Sequence, residues 1–191
     1  MVALILAAPP AQSQGLDAVW AGTSWGESDA ALLLHFGKTA TVLPQAIDFG
    51  DSYTQLVLRQ FDLGGYALIV YYQLDKASRG LKRIQLERPR HEVNPPAFRG
   101  VLMALQNEFG PADNECGARP GPADGYQGVA EYVWNRGGVV IRAIFRDTTL
   151  EAFGGCFSPA CGLTGQLLLR VSPPQGDDAQ CHPGQRAKLN G

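Results

Sequence analysis

Charge is scarce in this sequence and nearly balanced. Only 18% of its 191 residues are Asp, Glu, Lys or Arg, and the formal net charge is −2. The usual electrostatic basis for binding nucleic acid or an anionic membrane is therefore missing, and neither is expected as a partner. Cysteine is absent before Cys116, histidine is confined to His35, His91 and His182, and no Gly-x-Asn-Asp block occurs. Long apolar runs are missing too. The one at the start, within Met1 to Gly15, is far too short to span a bilayer. It lacks the basic residues that open a secretory signal, yet small residues follow it as at the end of one. No cysteine comes directly after it, which argues against a lipid anchor. Residues 1–14 are expected to be a signal-peptide remnant, with Ala11-Gln12-Ser13 the nearest small-x-small cleavage site, and the protein to be periplasmic or secreted.

Apolar residues make up 45% of the chain, alongside 23 glycines and 13 prolines. The length suffices for one substantial core or two small ones without a metal or disulfide to hold it. The glycine and proline content suits a turn-rich sheet. From Tyr53 to Arg88, three apolar-alternating segments follow one another and predict an antiparallel meander. Thr54, Leu56 and Leu58 share one face of the first. Tyr66, Leu68, Val70, Tyr72 and Leu74 alternate with Ala67, Ile69, Tyr71 and Gln73 in the second, and Ile84 and Leu86 with Arg83, Gln85 and Glu87 in the third. Gly64-Gly65 and Ala77 to Gly80 supply the turns.

A helix is predicted on either side of this meander. In the first, between Leu16 and Gly37, Ser24 and Glu27 fit a capping box, and Trp25, Leu32, Leu33 and Phe36 fall on one face. Thr39 to Ile47 then reads as an edge strand, because Pro44 interrupts it. In the second, Asn94 caps, Pro95 takes the first helical position, and Phe98, Val101, Leu102, Leu105 and Phe109 line the core face before Gly110-Pro111. Strands follow at Val129–Asn135, with Tyr132 and Trp134 on one face, and from Val139 to Arg146. In the latter, Val139, Ile141, Ala143 and Phe145 face the core and a partly basic side with Arg142 and Arg146 faces outward. Leu167, Leu169 and Val171 mark a last strand. The fold class expected is α+β, an antiparallel sheet covered by two helices, built from a unit at 15–93 and another at 94–172 that can share one domain. A polar tail occupies 173–191.

Cys116, Cys156, Cys161 and Cys181 form an even set, which in an exported chain favours two disulfides. Three pairings are possible. The preferred one joins Cys156 to Cys161 across a hairpin tip and Cys116 to Cys181, tying down the tail.

Trp25-Gly26-Glu27-Ser28 opening a helix that ends in Phe36-Gly37, Gly80 to Ile84 in a strand, and Phe109-Gly110-Pro111 closing a helix before Trp134 give a helix-then-strands order repeated twice. This arrangement resembles the tandem units of the β-lactamase-inhibitor-protein-like fold, shared with the SmpA/OmlA-type outer-membrane assembly lipoproteins, over roughly residues 20–172. The resemblance implies an exported protein-binding or scaffold module without catalytic residues.

Other motifs suggest chemistry. Gly22-Thr23-Ser24-Trp25-Gly26 matches a nucleophile elbow, but too little chain precedes it to supply the parallel strands an elbow needs, and the capping box explains Ser24. Phe49-Gly50-Asp51-Ser52 is similar to the serine block of SGNH (GDSL-type) ester hydrolases. In that reading Ser52 attacks an ester, His182 takes its proton and Asp178 orients the imidazole. The oxyanion donor of the Gly-x-Asn-Asp block is then lacking. Cys156, Cys161, Cys181 and His182 are poorly spaced for zinc, so no metal or cofactor is expected. His35 and His91 read as structural.

Lys76, Arg79, Lys82, Arg83, Arg88, Arg90 and Arg99 make the region around the third meander strand basic, with Asp75, Glu87 and Glu92 interleaved. Tyr53, Tyr71 and Tyr72 add aromatic area. Tyr53, Tyr71, Arg83 and Arg88 are the expected contact residues for an unidentified protein partner on the open sheet face of a monomeric, non-enzymatic module. An ester hydrolase or an inhibitor of a secreted enzyme is the alternative.

Overall fold

The structure, a computed structural model, describes residues 15–90, 94–117, 128–147, 165–175 and 180–181. After a 3-10 turn at Leu16–Val19, helix α1 (Asp29–Phe36) leads into strands β1 (Thr41–Asp48), β2 (Ser52–Leu63), β3 (Tyr66–Asp75) and β4 (Leu81–Glu87). Helix α2 (Pro95–Phe109) leads into β5 (Asn114–Cys116), β6 (Gly128–Arg136), β7 (Val139–Asp147) and β8 (Gly165–Ser172). All eight strands form one antiparallel sheet in the order β1-β2-β3-β4-β8-β7-β6-β5. The two helix-plus-strands units therefore meet at β4 and β8, and their first strands, β1 and β5, lie at the two edges.

Local chemistry explains the meander. Gly64 and Gly65 both have positive φ, 62° and 80°, as a tight hairpin turn requires, and Asp62 accepts the Gly65 N–H at 3.2 Å. Asp75 holds the next turn by accepting the N–H groups of Ala77 and Ser78 at 3.0 and 2.9 Å. One sheet face carries Leu68, Val70, Tyr72, Leu86, Ile141, Ala143, Leu169 and Val171 into a core shared with Leu16, Leu32, Phe98, Val101 and Leu105. Tyr72, one of the three tyrosines that add aromatic area near the basic strand, belongs to this core, where its hydroxyl donates to the Val19 carbonyl at 3.0 Å.

Helix α2 is as the sequence predicts: Asn94 accepts the Ala97 N–H at 2.9 Å, Pro95 opens the helix, and Gly110 ends it at φ 79°. Trp134 anchors its end, donating from Nε1 to the Gly110 carbonyl at 2.8 Å. Helix α1 departs from expectation. It starts after Ser28, whose hydroxyl accepts the Ala31 N–H, instead of after Ser24. Only half of the capping box forms, Glu27 Oε2 accepting the Ser24 N–H at 3.0 Å. The reason is non-local: Gly26 N–H donates to Leu81 at 2.9 Å and Leu81 N–H to Glu27 at 2.7 Å. Those bonds hold Gly26-Glu27 beside the start of β4 before the helix can begin.

The leucines of α1 also divide. Leu32 is fully buried, whereas Leu33 is 38% and Leu34 85% exposed. Leu32→Ala should lower the unfolding free energy by about 2–5 kcal/mol, and Leu34→Ala should shift it by less than about 0.5 kcal/mol; urea denaturation of the two variants tests the contrast. A second correction concerns β7. Arg142, expected on a solvated outer side, is fully buried and paired with the equally buried Glu131 of β6, and it donates to the Gln180 carbonyl. The tail is fastened where the preferred pairing put it, by a Cys116–Cys181 disulfide with Cα atoms 5.5 Å apart. Cys156 and Cys161 lie outside the described residues.

Candidate functional site

At one end of the sheet, Ser52 opens a strand and is fully buried. Its Oγ lies 3.1 Å from Asp51 Oδ1 and 3.1 Å from Gln73 Oε1, and accepts from Arg83 Nη2 at 3.0 Å. Arg83 also donates to Asp51 and to Gln73 Oε1. With its carbonyl committed to Arg83 and Ser52, Gln73 leaves Nε2 buried without a partner among the described residues, a cost of about 1–3 kcal/mol. Lys82 bridges Asp51 at 3.1 Å and Asp75 at 3.4 Å. Ser52 is thus held by a carboxylate, an amide and a guanidinium. Asp178 and His182, its partners in the hydrolase reading, lie outside the described residues, as does His91.

Burial raises the Asp51 pKa, but hydrogen bonds from Arg83 and Lys82 outweigh it and hold the carboxyl well below its ordinary 3.8. Asp48, beside Lys76, is lowered as well. A carboxylate depressed in the folded state adds stability above its unfolded pKa and loses it as pH falls through the folded one. The thermal midpoint should stay level from neutral pH down to about pH 5 and fall below about pH 4. Asp51→Asn should flatten that acid limb, which calorimetry across pH reads directly.

The four expected contact residues do not converge. Tyr71 and Arg83 share the face away from the helices, Tyr71 packing edge-on against Phe49 with ring centroids 5.8 Å apart. Tyr53 pairs with Leu74 and has a buried hydroxyl, and Arg88 stands 5.9 Å above the Tyr66 ring. Nor is that second face open across its width. Val57, Gln85, Glu87, Leu168, Ile144, Arg142 and Val133 are all buried on it.

A surface the sequence reading missed is the α1–β1 edge. Leu33, Leu34, Val42 and Ile47 are four of the five large apolar side chains exposed among the described residues. Between helix and strand lies a cleft of about 250 Å³ lined by Asp29, Ala30, Leu33, Val42, Gln55 and Leu56. Leu32-Leu33-Leu34 signals it: neighbouring residues point roughly 100° apart on a helix, so a one-sided core cannot bury all three. The opposite edge differs, since β5 spans only Asn114–Cys116 and ends in the disulfide. Eight-residue β1 is the long edge, guarded among the described residues by Pro44 and a register irregularity between Val42 and Ile47.

Among the described residues there is no cluster of three or more metal-ligating side chains, and no helix long and apolar enough to cross a membrane. No protein-family model, curated protein or solved structure matches the chain.

Proposed function

We propose that this chain is an exported, non-enzymatic domain that binds another protein, and that the α1–β1 edge is its docking surface. The observation that carries this reading is a cleft walled by the exposed Leu33 and Val42, with the exposed Leu34 beside it on α1 and Ile47 further along β1, at the long edge strand of the described sheet. Apolar groups gathered in one exposed patch mark interaction sites, whereas single ones are ordinary surface. Export is supported by the Cys116–Cys181 disulfide, a bond that persists in oxidising compartments. The likeness to β-lactamase-inhibitor-protein-like modules points the same way, and inhibition of a secreted enzyme is one form such binding can take.

Immobilised protein should retain a specific partner from a periplasmic or secreted extract, and Leu34→Glu should release it while unfolding at the same midpoint. Equal retention by both proteins, or none by either, would sink the assignment to this edge. Short-chain ester turnover abolished by Ser52→Ala would overturn the non-enzymatic reading outright.

A further inference from the structure

Taking the α1–β1 edge as a docking surface, as proposed above, we infer that its occupant is a second copy of this chain, the two α1 helices lying antiparallel with Leu34 of each copy in the cleft of the other. The argument starts from spacing. Ala30, Leu33 and Leu34 are exposed on one stripe of α1, and Gly37, also exposed, caps the helix just beyond them with φ 53°. A two-fold axis between Leu33 and Leu34 sets Leu33 of one copy against Leu34 of the other, and brings Asp29 and Ala30 at the start of one helix to the end of the other, where Gly37 caps it and Lys38 follows in a 3-10 turn. Symmetry makes every pair twice, as an isologous interface requires.

The chemistry of these pairs is complementary. Leucines meet at the centre, small residues at both ends let the backbones approach, and opposite charges lie at the rim, the order of apolar core and polar rim seen in protein interfaces. Asp29 accepts the N–H of its neighbour Ala30 at 2.8 Å and faces the cleft, while Lys38 is exposed and makes no ion pair among the described residues. Antiparallel helices also place the positive end of each dipole beside the negative end of the other. Val42 walls the cleft, and Ile47, 40% exposed, lies further along β1. Joining the two sheets edge to edge is disfavoured, because Pro44 lacks the N–H that a ladder through the middle of β1 needs. The copies meet through side chains instead.

Light scattering and sedimentation of the full chain over a concentration series test this. Wild type should dimerise reversibly, and Leu34→Glu should weaken the dimer by about tenfold or more. Asp29→Lys and Lys38→Asp should each weaken it, and the two together should restore it, a rescue that a folding defect does not produce. A wild type monomeric at all concentrations overturns the inference, as does a dimer indifferent to all these substitutions. If wild type is monomeric but Leu34→Glu still releases a captured protein, the edge binds a different partner and only self-association is lost. If neither assay responds to Leu34→Glu, both readings fall.

Discussion

Arg142→Met should lower the free energy of unfolding by about 3–5 kcal/mol. Arg142 and Glu131 are 0% and 1% exposed, so neither charge is hydrated in the folded state. Their attraction and the Gln180 carbonyl that Arg142 reaches offset the desolvation. Methionine keeps much of the arginine's bulk but takes the guanidinium from the Glu131 carboxylate, in a region where Val133, Val140 and Ile144 are also fully buried. Adding Glu131→Leu should recover most of the loss, because an apolar pair of similar volume often replaces a buried ion pair with little penalty. Guanidinium denaturation of the two single variants and the double one tests this. A single variant within about 1 kcal/mol of wild type would show that water reaches the pair.

Breaking the Cys116–Cys181 bond should be of similar size. The cysteines are 65 residues apart, and a cross-link closing a loop of that length restricts the unfolded chain by about 4 kcal/mol. The Cys116→Ala/Cys181→Ala variant should lose about that much, and reductant should bring the wild type down to the same midpoint. No change on reduction would mean that the bond contributes nothing to the native state. The two large effects should also be less than additive. Cys181 follows Gln180, whose carbonyl meets Arg142, so freeing the tail already removes part of what Arg142→Met removes.

The elements legible in the sequence are those whose causes lie within a few residues. Gly64-Gly65, Asn94-Pro95 and Gly110 act on their own neighbours, and each stands where the pattern put it. The start of α1 was not legible, because bonds between Gly26-Glu27 and Leu81, most of the first unit further along the chain, fix it. Strand alternation correctly placed Arg142 opposite the core face, but cannot tell whether that side is wet. Nor could it reveal the α1–β1 edge as a site, since which strand ends up outermost depends on the order of all eight. The four contact residues were chosen by type, aromatic or basic. Arg83 and Arg88 are in fact engaged by Asp51 and by the Tyr66 ring of their own chain.

The strand order also has a kinetic consequence. Every neighbouring pair in the sheet is consecutive in sequence except β4 and β8, which align Ile84 with Val171 and Leu86 with Leu169. Contacts between distant segments form against a larger loop-closure entropy than hairpins do. The seam should therefore close after the folding barrier: Leu169→Ala should speed unfolding with little effect on the folding rate, whereas Val70→Ala, within the first meander, should slow folding. On a ribosome, the first unit is complete before β8 exists, and β4 waits with its outer edge unpaired. During that interval the nascent chain carries two long sheet edges, β1 and β4, where the finished sheet has β1 and the three-residue β5, and it is then that it is most exposed to pairing with the wrong strand.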